Sequence, residues 1–141
     1  KGGPVTITSP EMTRFIMGIP QAVQLILKAG EISEGKEIFI LKMPALNIVD
    51  LAEVMVEEFG PVYGYKPEDI EIKIIGKRIG EKTYEELMTE DEVVYATDQD
   101  ELYVIRSDKE VNENNIIYNS HSAPKLSKEE IKDIITKFCH K

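Results

Sequence analysis

Residues 5–20 read Val-Thr-Ile-Thr-Ser-Pro-Glu-Met-Thr-Arg-Phe-Ile-Met-Gly-Ile-Pro, and this stretch decides the class of fold. Val5 and Ile7 alternate with threonines, as in a β-strand, and a Ser-Pro pair ends the run. A second short strand is predicted from Arg14 to Met17. Pro20 then suits the start of a helix, because the first turn of a helix leaves its N–H groups unpaired and a proline has none.

Helices and further strands alternate along the rest of the chain. Helical spacing of apolar residues predicts that the first helix, which ends at Gly30, is mostly buried. The strand from Glu37 to Leu41 shows little alternation and is predicted to be central and covered on both faces. The predicted helices are Pro20 to Ala29, a helix that Asn47 caps and Gly60-Pro61 ends, Glu81 to Met88, and a last helix that follows a capping box at Ser127 to Glu130. The other predicted strands are Ile70 to Ile74, Val93 to Ala96, Leu102 to Ile105 and a last extended piece from Ile116 to Tyr118, after a surface loop from Ser107 to Asn115.

No internal repeat, low-complexity tract or linker divides these elements. The sequence therefore predicts one domain, residues 1–141, of mixed α+β (α/β) class. The first residues, Lys1-Gly2-Gly3, include no initiator Met and run directly into a strand, which favours a piece of a longer protein.

Composition excludes several classes of protein. The chain has 141 residues with 17 Lys+Arg against 26 Asp+Glu, a net charge of -9 and one cysteine. A single cysteine excludes a disulfide framework. The acidic balance argues against a nucleic-acid partner, which requires a basic face. No apolar run approaches the ~20 residues that span a bilayer, so a cytoplasmic protein without a membrane partner is expected.

The inventory of chemical motifs is also short. Neither a Gly-rich phosphate loop nor a Tyr four residues before a Lys occurs, so nicotinamide chemistry cannot be assembled from these residues. Cys139, His140 and His121 are too few and too scattered for a metal site or a nucleophilic triad. The paired carboxylates are typical of solvated faces. We therefore expect no metal site and assign no catalytic residue to this chain.

The arginines are the informative residues, because there are only three of them among fourteen lysines. An arginine presents a planar fork that binds phosphate or carboxylate at two points. Arg14 lies between a proline-terminated turn and an apolar helix, and Arg78 lies between two glycines after a strand. For both, a ligand and a salt bridge to an acid remain open. For Arg106, which lies in a polar loop, a salt bridge is favoured.

Four blocks of sequence resemble one family. They resemble the C-terminal part of nucleotide-sugar dehydratases, namely the inverting UDP-N-acetylglucosamine 4,6-dehydratases and the similar capsular polysaccharide epimerases, which are extended short-chain dehydrogenase/reductases. The resemblance runs in register from about Gly3 to Ile135. The blocks are Pro4 to Thr8, Pro10 to Met17, Gly76 to Lys82 with Tyr84 to Leu87, and Tyr118 to His121.

The resemblance implies a substrate-binding half whose N-terminal Rossmann half is absent from this chain. That other half would bind NADP, so no cofactor is expected on this chain, and the parent enzyme would form a homo-oligomer. The face that meets the Rossmann domain would expose an apolar patch of about 600–1,500 Å².

The resemblance also implies a binding site for a UDP-sugar. Carried over by motif, Arg14 and Arg78 contact the diphosphate, and Glu81 faces the ribose hydroxyls. Sugar 4-epimerases usually carry Asp where this chain has Glu81. An acidic domain needs such concentrated positive charge to hold a diphosphate.

Two other functions remain open. The parent enzyme could be a UDP-sugar 4-epimerase, which these residues do not distinguish from a dehydratase. Alternatively, the chain could be a free-standing acidic module that binds a protein partner. It is also open whether Tyr118 to His121 contacts substrate or folds back on the core.

Overall fold

A computed structural model describes residues 2–108 and 118–139, and its elements follow one another in mixed order. The helices and strands are β1 (Val5–Ile7), β2 (Thr13–Phe15), α1 (Ile19–Ile32), β3 (Ile38–Leu41), β4 (Ala45–Asn47), α2 (Ile48–Phe59), β5 (Ile72–Ile74), α3 (Glu90–Val93), β6 (Ala96–Gln99), β7 (Leu102–Ile105) and α4 (Lys128–Cys139). Short 3₁₀ turns lie at Pro61–Tyr63 and Pro67–Asp69. The predicted mixed class is confirmed.

The described strands form three small sheets. β1 pairs in parallel with β5, with Val5 opposite Ile72. β2 pairs with β4 in antiparallel register, with Arg14 opposite Leu46. The third sheet has the antiparallel order β3-β7-β6. Because β1 and β5 run in parallel, their carboxyl ends meet at the same edge.

Two apolar clusters hold these elements together. In one, Leu46 of β4 and Val54 of α2 pack with Ile131 and Ile135 of α4. The other lies under the three-stranded sheet, where Tyr118 packs with buried residues that include Met88 and Ile105. Leu46 and Ile131 are almost fully buried, so β4, α2 and α4 form one tightly packed unit.

Local signals predicted several helix ends correctly. The Asn47 side chain accepts a hydrogen bond from the Val49 N–H at 2.7 Å and so caps α2. The Ser127 N–H donates to the Glu130 carboxylate at 2.8 Å, as the capping box predicted. These caps depend on residues three positions apart or fewer, which is why sequence identifies them.

The prediction that the first helix is mostly buried is wrong. α1 extends through Gly30 to Ile32, and Leu25 is its one buried residue. Val23, Ile26 and Leu27 are 49%, 63% and 69% exposed. Helical spacing shows which residues share a side of a helix, but it does not show whether another element covers that side.

Three other predictions fail where tertiary contacts override local pattern. The strand predicted from Glu37 to Leu41 is not central, because β3 lies at the edge of its sheet and Ile38 is half exposed. The helix predicted from Glu81 to Met88 is instead an extended loop, in which Glu86 forms an isolated bridge with Asn119. The strand predicted from Val93 to Ala96 lies further on, since a capping box at Thr89 and Glu92 includes Val93 in α3. Most of the loop and extended piece predicted between Ser107 and Tyr118, and His140, lie outside the described residues.

Candidate functional site

The candidate site begins at the shared edge of β1 and β5. Thr8 follows β1, and residues 75–81 follow β5. The Ile75 N–H donates to the Ile7 carbonyl at 2.9 Å, which carries the pairing one residue past β5. Ligands of α/β proteins collect at the carboxyl ends of parallel strands. The chain therefore places residues 76–81 where such proteins bind their ligands.

A tight turn from Arg78 to Glu81 forms this edge. The Glu81 N–H donates to the Arg78 carbonyl at 3.1 Å, and the Arg78 N–H donates to Glu81 Oε2 at 3.0 Å. Gly80 has φ of 80°, which the third position of a type II turn requires. The Thr8 hydroxyl donates to Glu81 Oε1 at 3.0 Å and ties the turn to the end of β1.

Arg14 approaches the same turn from β2, and its guanidinium is already engaged. Nη1 donates to the carbonyls of Thr13 at 2.7 Å and Thr83 at 3.3 Å, and Nη2 donates to that of Lys82 at 2.9 Å. Nε lies 3.3 Å from a Glu85 carboxylate oxygen. One Nη2 N–H has no partner among the described residues. Arg14 thus fixes the loop and retains its charge and one donor for a ligand.

The groups around Glu81 lower the pKa of its carboxyl. The pKa of Glu81 is lowered, first by the hydrogen bond from the Arg78 N–H and then by that from the Thr8 hydroxyl, while partial desolvation opposes the shift. The positive charges of Arg78 and Arg14 lower this pKa further. Of the three residues singled out from sequence, Arg78 and Glu81 share one turn, and Arg14 binds the carbonyl of Lys82, the next residue along the chain.

The three arginines differ in the ion pairs and hydrogen bonds that their guanidinium groups make. Arg106 pairs with Glu34 at 3.4 Å and Glu37 at 3.1 Å, which confirms the salt bridge predicted for it. The Arg78 side chain is exposed, and its guanidinium makes no hydrogen bond or ion pair within residues 2–108 and 118–139. Among the arginines, Arg78 is thus the one whose whole fork is available to a ligand.

A buried serine supports the loop that follows the turn, and sequence analysis did not identify its role. Ser120 is fully buried, and its hydroxyl donates to the Thr13 carbonyl at 3.1 Å. The same hydroxyl accepts from the Glu85 N–H at 2.9 Å and lies 3.0 Å from Thr13 Oγ1. This network fixes the loop against β2, so that Arg14 can reach the carbonyls of residues 82 and 83.

Within the segment from Tyr118 to His121, some residues pack on the core and His121 is exposed. The Tyr118 hydroxyl donates to the Leu41 carbonyl at 2.9 Å, so Tyr118, like Ser120, folds back on the core. Burial raises the pKa of Tyr118. His121 is exposed, and its ring centroid lies 6.2 Å from that of Tyr84.

Two clefts flank the loop that follows the turn, and the linings of both include Thr83 and Tyr84 rather than Arg14 or Arg78. One, of about 620 Å³, lies between the chain before β2 and residues 121–125, and Glu11, Tyr84, His121 and Lys125 line it. The other, of about 320 Å³, is lined by Glu81 to Tyr84 and Glu86. A third, apolar groove of about 480 Å³ between α2 and β1 has no cationic lining residue and does not suit a phosphate. Tyr84 and His121 carry no sequence pattern that would have indicated a shared cleft.

The described residues do not meet the requirements of a metal site or of a membrane span. Within residues 2–108 and 118–139, no group of three His, Cys, Asp or Glu residues could hold a metal ion. Over the same residues, every helix is too short or too polar to span a bilayer.

The sequence of the chain is similar to those of polysaccharide biosynthesis proteins and of a UDP-glucose 4-epimerase. Residues 1–107 match the family described as "Polysaccharide biosynthesis protein". The chain is 58% identical over 137 residues to an uncharacterized membrane protein of Methanocaldococcus jannaschii, covering 96% of this chain and 41% of that protein. It is 35% identical over 144 residues to the UDP-glucose 4-epimerase of Rickettsia felis, covering 93% of this chain and 40% of that enzyme.

One solved structure closely matches the fold. The X-ray structure of Pen from Bacillus thuringiensis superposes with a TM-score of 0.81 at 41% identity, over 94% of this chain and 40% of that chain. This likeness confirms the predicted class of fold. This chain therefore spans about two fifths of the length of each of these three proteins.

Proposed function

Because the chain belongs to the family of polysaccharide biosynthesis proteins, we propose that it is the substrate-binding domain of an enzyme that acts on nucleotide sugars. The specific activity we propose for the parent protein is that of a UDP-N-acetylglucosamine 4,6-dehydratase. Arg14 and Arg78 bind the diphosphate of the UDP-sugar, and Glu81 binds its ribose. The observation that supports this proposal is that Arg78 and Glu81 share one turn, and the Arg14 guanidinium donates to the carbonyl of the next residue, Lys82, at 2.9 Å.

Charge explains why these arginines suit a diphosphate. The whole chain carries a net charge of -9, so an anion needs cations concentrated at one place. Arg78 offers a complete fork, and Arg14 adds its charge and one N–H. Each charge-assisted hydrogen bond contributes about 1.5–3 kcal/mol. Two such contacts contribute about 3–6 kcal/mol, a large share of the roughly 8 kcal/mol that micromolar binding requires.

Glu81 suits a sugar hydroxyl for a related reason. Its lowered pKa keeps the carboxylate ionised at neutral pH, where it accepts hydrogen bonds. Each oxygen accepts one bond from the protein and retains a second acceptor position. The same contacts fix the orientation of the carboxylate before a ligand arrives.

In this proposal the chain supplies binding residues and a wall of the cleft. NADP is held by a part of the protein outside this chain. The same part supplies the acid and base of the reaction. UDP binding by residues 1–141 alone is therefore expected to be weak or undetectable. Micromolar binding by these residues alone would contradict that expectation.

Isothermal titration with UDP tests the proposal on the protein as its gene encodes it. Arg78→Ala should weaken UDP binding by about tenfold or more, because one charge-assisted contact is lost. Lys73→Ala is the matched control, since it also removes one exposed positive charge but lies on β5 itself. Unchanged affinity in Arg78→Ala would remove this residue from the site.

A second candidate activity is that of a UDP-sugar 4-epimerase. The enzyme from Rickettsia felis, which carries that name, supports it over 93% of this chain. Product analysis on UDP-N-acetylglucosamine distinguishes the two. A 4-keto-6-deoxy sugar indicates the dehydratase, and a 4-epimer indicates the epimerase.

The free-standing interaction module is the third candidate. Reading the coding sequence before Lys1 separates it from both enzymes. A Gly-rich nucleotide-binding segment encoded there favours an enzyme, and a start codon next to Lys1 favours the module.

A further inference from the structure

Lys77 lies directly before Arg78, and its ammonium is fixed beside the candidate site. The chain leaves β5 at Ile74 and passes through Gly76, whose φ is 84°. The Lys77 Nζ then donates to Thr83 Oγ1 at 3.0 Å. Lys77 therefore reaches from the start of the Arg78 turn to the loop that follows this turn.

Arg14 contacts the same threonine through a different atom. Its Nη1 donates to the Thr83 carbonyl at 3.3 Å, and its Nη2 donates to the Lys82 carbonyl at 2.9 Å. The side chains of Lys77 and Arg14 thus both bind Thr83, although they come from different parts of the chain. An anion at this loop would lie close to both positive charges.

The two arginines alone leave little net positive charge at this loop. Glu85 lies 3.3 Å from Arg14 Nε. Glu81 shares a turn with Arg78, and its pKa is lowered first by the Arg78 N–H and also by the positive charge of Arg78. Each guanidinium therefore has a carboxylate near it, and the charges of the two arginines and the two carboxylates sum to zero.

Lys77 differs from these arginines, because its ammonium makes no ion pair within residues 2–108 and 118–139. Lys82 belongs to the same loop, but no contact in the described part of the chain fixes its ammonium there. Four other lysines pair with carboxylates, namely Lys28, Lys42, Lys128 and Lys132. Lys77 is therefore the cation that gives this loop a net positive charge at a defined position.

The chemistry of a nucleotide sugar requires such a charge. Its diphosphate carries two negative charges, one on each phosphate, and a loop with no net charge does not offset them. A lysine ammonium is a compact point charge on a flexible stem, so it binds phosphate from many directions. A charge-assisted bond to phosphate is also stronger than the exposed bond from Lys77 to the neutral Thr83 hydroxyl.

We propose that Lys77 is a third diphosphate-binding residue, whose ammonium leaves the Thr83 hydroxyl and binds a phosphate oxygen when a nucleoside diphosphate enters the site. The inference rests on the proposed function, because it assigns a further residue to the same site. It adds the net positive charge that Arg14 and Arg78, each beside a carboxylate, do not supply.

Isothermal titration with UDP tests this role in the protein as its gene encodes it. Lys77→Gln should weaken UDP binding by about tenfold, because one charge-assisted contact is lost. Lys77→Glu should weaken binding by about threefold more, since a carboxylate repels the phosphates. Lys77→Arg should keep the affinity within about threefold of the wild type, because the positive charge is retained. Unchanged affinity in Lys77→Gln would overturn the proposal.

The series of charges at position 77 separates phosphate binding from support of the loop. If Lys77 only held Thr83, the Gln and Glu variants would lose equal affinity, and that result would overturn the proposal. Lys73→Gln and Lys73→Glu on β5 are the matched controls, and their UDP affinities should stay within about twofold of the wild type. Equal losses at positions 73 and 77 would show an effect of overall charge and would also overturn the proposal.

Arg78→Ala, measured beside these variants, distinguishes this inference from the proposed function. Weaker UDP binding in Arg78→Ala with unchanged binding in Lys77→Gln would overturn the role of Lys77 alone. Unchanged binding in both variants would overturn the proposed site as well. Because Lys77 is exposed, its variants should fold as the wild type does, and circular dichroism checks this.

Discussion

Two regions of this molecule differ in how far their apolar side chains are buried and their polar side chains are paired within the described residues. Around β2, β4, α2 and α4, apolar side chains such as Ile131 are buried, and polar ones such as Ser120 have partners within the chain. On α1 and at the Arg78 turn, apolar side chains are exposed, and a guanidinium has no partner among residues 2–108 and 118–139. The difference indicates that the first region stabilises the fold, and we propose that the second presents groups for binding.

The largest expected effect separates the two kinds of apolar residue. Ile131→Ala should cost about 2–5 kcal/mol of unfolding free energy, because it leaves a cavity where the side chain is fully buried. Ile26→Ala should change that free energy by about 0.5 kcal/mol or less, since Ile26 is mostly exposed. Denaturant unfolding of both variants checks the difference. Equal costs would mean that α1 is covered within this chain.

The next effect concerns the loop that supports the site. Ser120→Ala should lower the free energy of unfolding by about 1–3 kcal/mol. The Glu85 N–H loses the Ser120 oxygen to which it donates, and the Thr13 carbonyl loses the buried Ser120 hydroxyl that donates to it. His121→Ala serves as the neighbouring control, and its effect should stay within about 0.5 kcal/mol, because the side chain is exposed. Thermal unfolding of the two variants measures the gap. A cost for His121→Ala as large as that for Ser120→Ala would contradict the description of this segment.

A smaller effect distinguishes the two arginines by stability. Arg14→Ala should destabilise the fold by about 1 kcal/mol, because the carbonyls of residues 82 and 83 each lose a guanidinium donor. Arg78→Ala should leave stability within about 0.5 kcal/mol of the wild type, since its side chain contacts no acceptor in the described residues. Equilibrium unfolding in urea provides both values. A marked loss of stability in Arg78→Ala would give this residue a structural role.

The smallest effect is a dependence on pH. Because the pKa of Glu81 is lowered in the folded state, its contribution to stability is complete above the ordinary value of 4.5 and is lost as pH falls through the lower folded value. Glu81→Gln should therefore be less stable than wild type near neutral pH, and the gap should narrow below pH about 4. Urea unfolding at both pH values tests this. A gap that does not change with pH would exclude the ionised carboxylate as its source.

The same contrast explains how much of the fold can be predicted from the sequence. Asn47, Ser127 and Glu130 were assigned correctly, because caps depend on neighbours within three residues. The helix expected from Glu81 to Met88 does not form, since Ser120 and Arg14 bind that backbone from positions 35 or more residues away. Such distant contacts leave no local pattern.

The candidate site shows the same limit. Arg14, Arg78 and Glu81 could be selected because arginine is rare here and because the sequence resembles a family. Their placement around one turn depends on the pairing of β1 with β5, which no short pattern predicts. The contribution of Ser120 depends on a contact with Thr13, 107 residues away in the chain. Rare residue types therefore indicated the candidate binding residues, and the tertiary structure revealed the residues that support them.

The most direct test of the central claim measures UDP affinity and stability on the same variant, Arg78→Ala, in the protein as its gene encodes it. We expect UDP binding to weaken by about tenfold or more while the unfolding free energy stays within about 0.5 kcal/mol of the wild type. Unchanged UDP affinity in a fully folded Arg78→Ala protein would contradict that expectation.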